Sequence, residues 1–242
     1  MPVHTHDRET DMPHAALTLL CSLLCLACPI SAYAEEIFDG FSLAMLGAHT
    51  NTCAITFDDG PGPHTPRLLG ILRERNIKAT FFVLGSRVAR YPQTMRAIAA
   101  EGHEVGNHTY SHVNLRNLAP ETQRDEIART DAALLELGIP VRYLRPPYGR
   151  YDKNTLEQAA IENLTIVMWS IDSRDWQSPR QPMARVLPRS SSGKVHGVFL
   201  FHDNHRSTVD AMPRILDDLA AAGCQFVTLS EYLDNDGPVC LH

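Results

Sequence analysis

Five apolar, β-rich runs punctuate the chain, at Cys53 to Phe57, Ala79 to Leu84, Leu164 to Trp169, Val198 to Phe201 and Gln225 to Leu229. They are nearly continuous in hydrophobicity, with little polar alternation, which is the pattern of strands buried on both faces. Shorter runs at His103 to Val105 and Val141 to Leu144 predict two more strands. The segments between them have helical spacing and recognisable ends. Thr65-Pro66 caps and opens a helix to Arg75, and Tyr91-Pro92 opens one that Gly102 ends. Pro120 starts a long helix that stops at Gly138, Asp152 caps a fourth, and Thr208 opens a fifth that Gly223 terminates. Repeated strand–helix alternation within one α/β domain predicts parallel strands with outer helices, as a barrel or an open sheet. Ser190-Ser191-Ser192-Gly193 reads as a loose connector.

The N-terminal segment follows a different rule. Ala15 to Ile30 is almost unbroken in its hydrophobicity, short for a membrane span, and is followed by Ala32-Tyr33-Ala34, a small-x-small pattern suited to cleavage before Glu35. Residues 1–34 are therefore expected to be a signal peptide, 35–50 an N-terminal lead-in, 51–234 the single folded domain and 235–242 a C-terminal tail. Export to the periplasm or the extracellular space follows, with no stable membrane span after cleavage. Asp7, Arg8, Glu9 and Asp11 give the leader a negative balance where a positive one is usual, and a start at Met12 would remove all four. An uncleaved anchor and a lipid on Cys28 are the competing readings, although Cys25 three positions earlier fits a lipoprotein signal poorly.

Removing the leader leaves 208 residues, enough for one sizeable core. Of the formal charge of −6, the leader carries −2, so the mature part stands near −4 and has no basic tract. That argues against nucleic acid, or any acidic polymer, held by bulk electrostatics and leaves neutral substrates open. Cys53, Cys224 and Cys240 remain outside the leader. In an oxidising compartment a Cys224–Cys240 bridge would staple the tail and leave Cys53 buried in a strand, while three unpaired buried thiols are the alternative. The mature chain has no Cys-x-x-Cys pair, so cysteine-bound zinc is not expected.

Five short polar clusters each follow an apolar run. They are Thr56-Phe57-Asp58-Asp59-Gly60-Pro61, His108-Thr109-Tyr110-Ser111-His112, Arg145-Pro146-Pro147-Tyr148-Gly149, Asp172-Ser173-Arg174-Asp175-Trp176 and Leu200-Phe201-His202. Parallel α/β sheets bind ligands at the carboxyl ends of their strands, so clusters far apart in sequence can share one pocket there. Singly, each has an ordinary structural reading. Asp-Asp-Gly-Pro is turn chemistry, Arg-Pro-Pro-Tyr-Gly suits a rigid bend, Trp176 suits a core, and His202 with His205 nearby suits a satisfied strand end. His108 and His112 suit one surface turn, yet their spacing also aims two imidazoles at one centre. Two histidines with one carboxylate leave the open position that a catalytic zinc needs. The structural readings do not explain why all five occur in order at one edge of one sheet.

These five clusters resemble the five motifs of the polysaccharide deacetylases of the NodB-like group, carbohydrate esterase family four, over roughly residues 50 to 232. The resemblance implies a distorted (β/α) barrel with seven strands, one divalent metal ion, usually zinc, and hydrolysis of an N-acetyl or O-acetyl group on a sugar. It makes Asp59, His108 and His112 the metal ligands and Asp58 the catalytic base, a division the residues themselves leave open. It makes Arg145 the cation that keeps Asp58 ionised, since a nearby positive charge lowers a carboxylate's pKa. Tyr148 would offer its backbone N–H to the oxyanion, and His202 would be the general acid with Asp175 favouring its protonated form. Trp176 would wall the groove. Asp175 is preferred to Asp172 because it directly precedes Trp176, and His205 is the rival acid to His202.

An amide has a poor electrophile and a poor leaving group, which is why metal, base, acid and oxyanion donor are all needed. The expected partners are an acetylated polysaccharide or oligosaccharide as substrate and acetate as product. N-acetylglucosamine units of chitin-like, peptidoglycan or biofilm-type polymer are favoured. O-acetyl xylan, an amino-sugar lipid, and a catalytically idle sugar-binding module are the alternatives.

Overall fold

The computed structural model describes residues 37–46, 51–177 and 195–234 besides Met1. Apart from Met1 these lie in one compact unit, Ala34–His242. The expected signal peptide, the C-terminal tail, the Ser190 to Gly193 connector and Cys240 fall outside the described residues. The strands are β1 (Ile37–Phe38), β2 (Thr52–Gly60), β3 (Thr80–Val83), β4 (Glu104–Asn107), β5 (Tyr143–Leu144), β6 (Thr165–Val167), β7 (Ile171–Asp172), β8 (Gly197–His202) and β9 (Gln225–Val227). The helices are α1 (Gly40–Leu46), α2 (Thr65–Glu74), α3 (Gly85–Val88), α4 (Pro92–Ala100), α5 (Pro120–Leu135), α6 (Lys153–Ile161), α7 (Arg206–Ala221) and α8 (Leu229–Asp234).

All strand pairs are parallel, in the order β1-β6-β5-β4-β3-β2-β8-β7. β1 and β7 end this order, so the curled sheet is a half-barrel. Nine strands among the described residues replace the seven expected. The two additions, β1 and β7, are two-residue rungs with half-buried side chains, too short to leave a hydrophobic run in the sequence. β9 shares one edge of β2 with β3, pairing Thr52 to Ala54 while β3 takes Thr56 to Gly60. As a short rung it is exposed or half-buried, not buried on both faces as its composition suggested.

Alternation along the buried strands divides the molecule into layers. Cys53, Ile55 and Phe57 of β2 and Phe199 and Phe201 of β8 face outward, packing with Leu68 and Leu72 of α2 and Met212 and Leu216 of α7. The intervening Ala54 and Val198 face inward with Phe82, Tyr143 and Val167. By the same parity Thr56, Asp58 and His202 also point inward, so the strands deliver polar groups to the concave side near their carboxyl ends.

Two expected helix caps are corrected by the structure. Thr65 lies inside α2, whose N-cap position His64 makes no side-chain capping bond. Its hydroxyl instead accepts the Gly62 N–H at 2.8 Å and donates to Asp203 at 2.5 Å. α7 begins at Arg206, two residues before Thr208, whose hydroxyl donates to Asp175 at 2.8 Å. In both cases the N-cap position falls ahead of the threonine, whose hydroxyl donates to a buried carboxylate. Asp152 does cap α6, in a reciprocal capping box with Thr155.

The expected Cys224–Cys240 bridge is likewise replaced: Cys224 is joined to Cys53. The parallel pairing of β9 with β2 sets Gln225 opposite Thr52, which leaves the two cysteines 5.9 Å apart at Cα. The bridge spans 171 positions of sequence and ties the last strand to the central one. Cys224→Ser is expected to lower unfolding free energy by about 2–5 kcal/mol, measured by urea denaturation. A reductant should produce the same loss in the wild type and none in the variant.

Candidate metal and acid–base centre

The first cluster closes β2 with two adjacent aspartates that the pleat should send to opposite faces. Asp58 keeps the inward parity of Thr56. The β2–β3 register shifts between Asp58 and Gly60, and Asp59 takes a left-handed backbone, φ 69°. This bulge swings Asp59 round toward the same cavity. Gly60 follows with no room for a side chain: a Cβ there would sit 2.5 and 2.6 Å from the carboxylate oxygens of Asp203.

His108 directly follows β4, and its Nδ1 lies 2.6 Å from the carbonyl oxygen of Arg145. A carbonyl only accepts, so Nδ1 carries the proton and Nε2 presents its lone pair to the cavity. That Nε2 is 3.5 Å from Asp59 Oδ1, and the Nε2 of His112 is 3.1 Å from the same oxygen. Thr109 and His112 have φ of 67° and 62°, so the pair is presented by a tight loop and not by the helical turn that i, i+4 spacing also allows. Glu126 of α5 clamps that loop, accepting the Ser111 N–H at 2.8 Å and the Ser111 hydroxyl at 2.7 Å.

The donor atoms of Asp59, His108 and His112 all lie within 4.8 Å of one another. Asp59 Oδ1 is buried and accepts no hydrogen bond among the described residues. A buried carboxylate oxygen with no hydrogen bond, set against two imidazole nitrogens, is costly in a protein interior unless a cation completes it. One carboxylate and two imidazoles form a borderline N,N,O set with open positions, which fits zinc. Burial pushes the Asp59 carboxyl up, but the surrounding histidines outweigh it and hold it well below the usual range. Burial pushes His112 down, which favours the neutral ligand form.

Asp58 lies next to this triad, its Oδ2 3.7 Å from His108 Nε2, and its Oδ1 accepts from Arg145 at 2.8 Å. Arg145 is fully buried. Its guanidinium also donates to Thr56 Oγ1 at 2.7 Å, Val167 O at 3.1 Å and Met168 O at 2.7 Å, and lies 3.9 Å over the Phe82 ring. His202, the register partner of Asp58, closes β8, and its Nδ1 is 2.7 Å from Asp175 Oδ1. Asp175 Oδ2 accepts the His202 backbone N–H at 2.8 Å and the Thr208 hydroxyl. Burial works against the imidazolium, but the hydrogen bond and charge of Asp175, with Asp58 and Asp59 beyond, push His202 up to about 9.

Asp172 does not reach His202; it accepts the Arg174 N–H on the rim. His205 stands edge-on to His202, with ring centroids 5.9 Å apart. Tyr148, at φ 59°, sets its ring edge-on to His112 at 4.7 Å and is 63% exposed, while Trp176 is 53% exposed. Both aromatics are thus open to a ligand, not packed in a core. Sequence reasoning did not pick out Thr56, Thr208, Glu126 or Asn204. Only Thr56 left a trace, a hydroxyl in an otherwise apolar strand with the parity of Asp58.

The strand ends of this parallel half-barrel bring together a carboxylate–imidazole triad able to hold a metal ion, a carboxylate held by a buried guanidinium and an imidazole held by a carboxylate. The model of the polysaccharide deacetylase family matches residues 47–167, and the chain belongs to that family. It is 40% identical over 181 residues to a peptidoglycan-N-acetylglucosamine deacetylase of Bacillus cereus, covering 73% of this chain and 66% of the relative. A chitooligosaccharide deacetylase of Bradyrhizobium is 37% identical over 176 residues, covering 68% of this chain and 78% of the relative. The solved structure of the Bc1960 peptidoglycan N-acetylglucosamine deacetylase superposes with a TM-score of 0.70 at 38% identity, covering 76% of this chain and 88% of that one. The chain spans 66% and 38% of the lengths of the first two curated relatives it matches.

In metal-free protein the His202 imidazole should titrate near pH 9 by NMR, and Asp175→Asn should move its midpoint down. An unshifted midpoint would sink the electrostatic account.

Proposed function

We propose that the protein is a zinc-dependent N-deacetylase of N-acetylglucosamine-containing polysaccharide or oligosaccharide, of peptidoglycan or chitin type, exported to the periplasm or beyond. The observation that carries this reading is the Asp59–His108–His112 triad lying beside two neighbouring strand ends, where Asp58 accepts from Arg145 and its register partner His202 is bonded to Asp175. Zinc bound there would polarise the acetyl carbonyl and acidify the attacking water. Asp58 is kept as an acceptor by Arg145 and takes the proton of that water. The backbone N–H of Tyr148, turned by its left-handed conformation, serves the developing oxyanion. His202, which the hydrogen bond and charge of Asp175 favour as imidazolium, gives its Nε2 proton to the departing amine. Trp176 and Tyr148 flank the opening, where exposed aromatic faces suit the apolar faces of sugar rings. Acetate and a free amino sugar are the products.

The amide preference rests on the acid. An amine leaves only when protonated, and the Asp175–His202 pair supplies a proton at neutral pH, whereas the leaving alcohol of an ester needs it less. No helix among the described residues is long and apolar enough to cross a membrane.

The test is acetate release from chitin oligomers, peptidoglycan, acetylated xylan and poly-N-acetylglucosamine, with and without metal. Chelation should abolish release and zinc restore it. Asp58→Asn and His202→Ala should each lower kcat about 10²–10⁴-fold, and kcat/KM should fall on the alkaline side as His202, raised by Asp175 above the ordinary imidazole range, loses its proton. Activity on xylan alone would overturn the amide preference, and ordinary metal content in His108→Ala would overturn the ligand assignment.

A further inference from the structure

Asp59 turns Oδ1 toward both imidazoles, and its other oxygen, Oδ2, is 3.3 Å from the side-chain nitrogen of Asn204. We infer that Asn204 is a positioning residue for the metal centre: its amide N–H holds Asp59 Oδ2 and so presents Oδ1 alone to the ion. The inference rests on the metal reading given above. Asp59 needs such a partner because its left-handed backbone at a bulge takes its direction out of the strand's alternation.

Asn204 is itself held in place from two sides. The preceding Asp203 is fully buried, bonded to Thr65 and packed on Gly60, which fixes the chain just after β8. A Cβ at Gly62 would lie 3.7 and 3.8 Å from Asn204 Cα and Cβ, so Asn204 sits directly on the turn that follows Asp59. Asn204 Oδ1 is buried without a partner among the described residues. The amide is thus poorly satisfied as a structural group, and the bond to Asp59 is the one that accounts for its place. Partners of this kind, one step out from the ligands, typically contribute about 10–100-fold in metal affinity.

The experiment measures zinc affinity of the full chain by chelator competition, the d–d spectrum of the cobalt-loaded protein, and the melting temperature of the metal-free protein. Wild type, Asn204→Ala, Asn204→Leu and His108→Ala are compared. The expected result is zinc binding weakened about 10-fold or more in both Asn204 variants, with an altered cobalt spectrum and an unchanged metal-free melting temperature. Unchanged zinc affinity in the folded variants overturns the inference. Failure of both Asn204 variants to fold also overturns it, since the residue would then hold the loop and not the ligand. If His108→Ala binds zinc as tightly as wild type, the metal reading itself falls. If His108→Ala loses zinc while the Asn204 variants keep it, only the present inference does.

Discussion

The buried guanidinium of Arg145 is the group on which the rest of the site depends. Removing a cation from water costs several kcal/mol unless its donors are satisfied, and here they reach Asp58, Thr56, Val167 O and Met168 O. These partners lie on β2, on β6 and just after β6, so one side chain joins the central strand to a distant part of the sheet. Its backbone also takes part: Arg145 N–H donates to Asn107 O, and Arg145 O receives the His108 Nδ1 proton. The same residue therefore orients the base and sets the tautomer of a metal ligand. Its guanidinium rests on the Phe82 ring, which in turn needs Gly106 opposite, where a Cβ would meet that ring at 2.5 Å. Loss of either partner of such a buried pair typically costs about 3–5 kcal/mol.

Strain is gathered around this pair. Asp59, Thr109, His112, Tyr148 and Arg174 all have positive φ, and all lie in or beside the motif loops at the strand ends. Each such conformation costs on the order of 1–3 kcal/mol in a residue with a side chain. The buried carboxylates and hydroxyls around them supply the opposing bonds: Glu126 to Ser111, Asp175 to His202 and Thr208, Asp203 to Thr65. The outer aromatic layer, with Phe57 stacked 5.3 Å from Phe81, gives the strands a rigid base from which these loops project.

Much of this could be read from residues alone. The seven predicted strands are all present, since long apolar runs survive any tertiary context. Every motif cluster lies at a strand carboxyl end, as expected from its position after an apolar run. What failed in prediction failed for one reason. Thr65 and Thr208 look locally like helix openers, but each lies within the first turn of its helix, with its hydroxyl donating to a buried carboxylate. Cys224 pairs with Cys53 and not with its near neighbour in sequence because β9 docks on β2. β1 and β7 are held by neighbouring strands and carry too few residues to signal themselves.

By itself, then, the sequence determined the parallel α/β class, the order of the strands along the chain and the set of side chains available for chemistry, because hydrophobic runs and turn residues act locally. The tertiary structure decided the allocation among those side chains. Asp58 meets Arg145 and Asp59 meets the histidines only because a bulge reverses the pleat between them. Asp175 and not Asp172 meets His202 because the loop after β7 turns inward there. Asn204 gained a place beside the metal ligand because the turn after β2 and the end of β8 pack together. These contacts, between residues 27 to 145 positions apart, depend on how the strands stack, and that information is not carried by any local pattern.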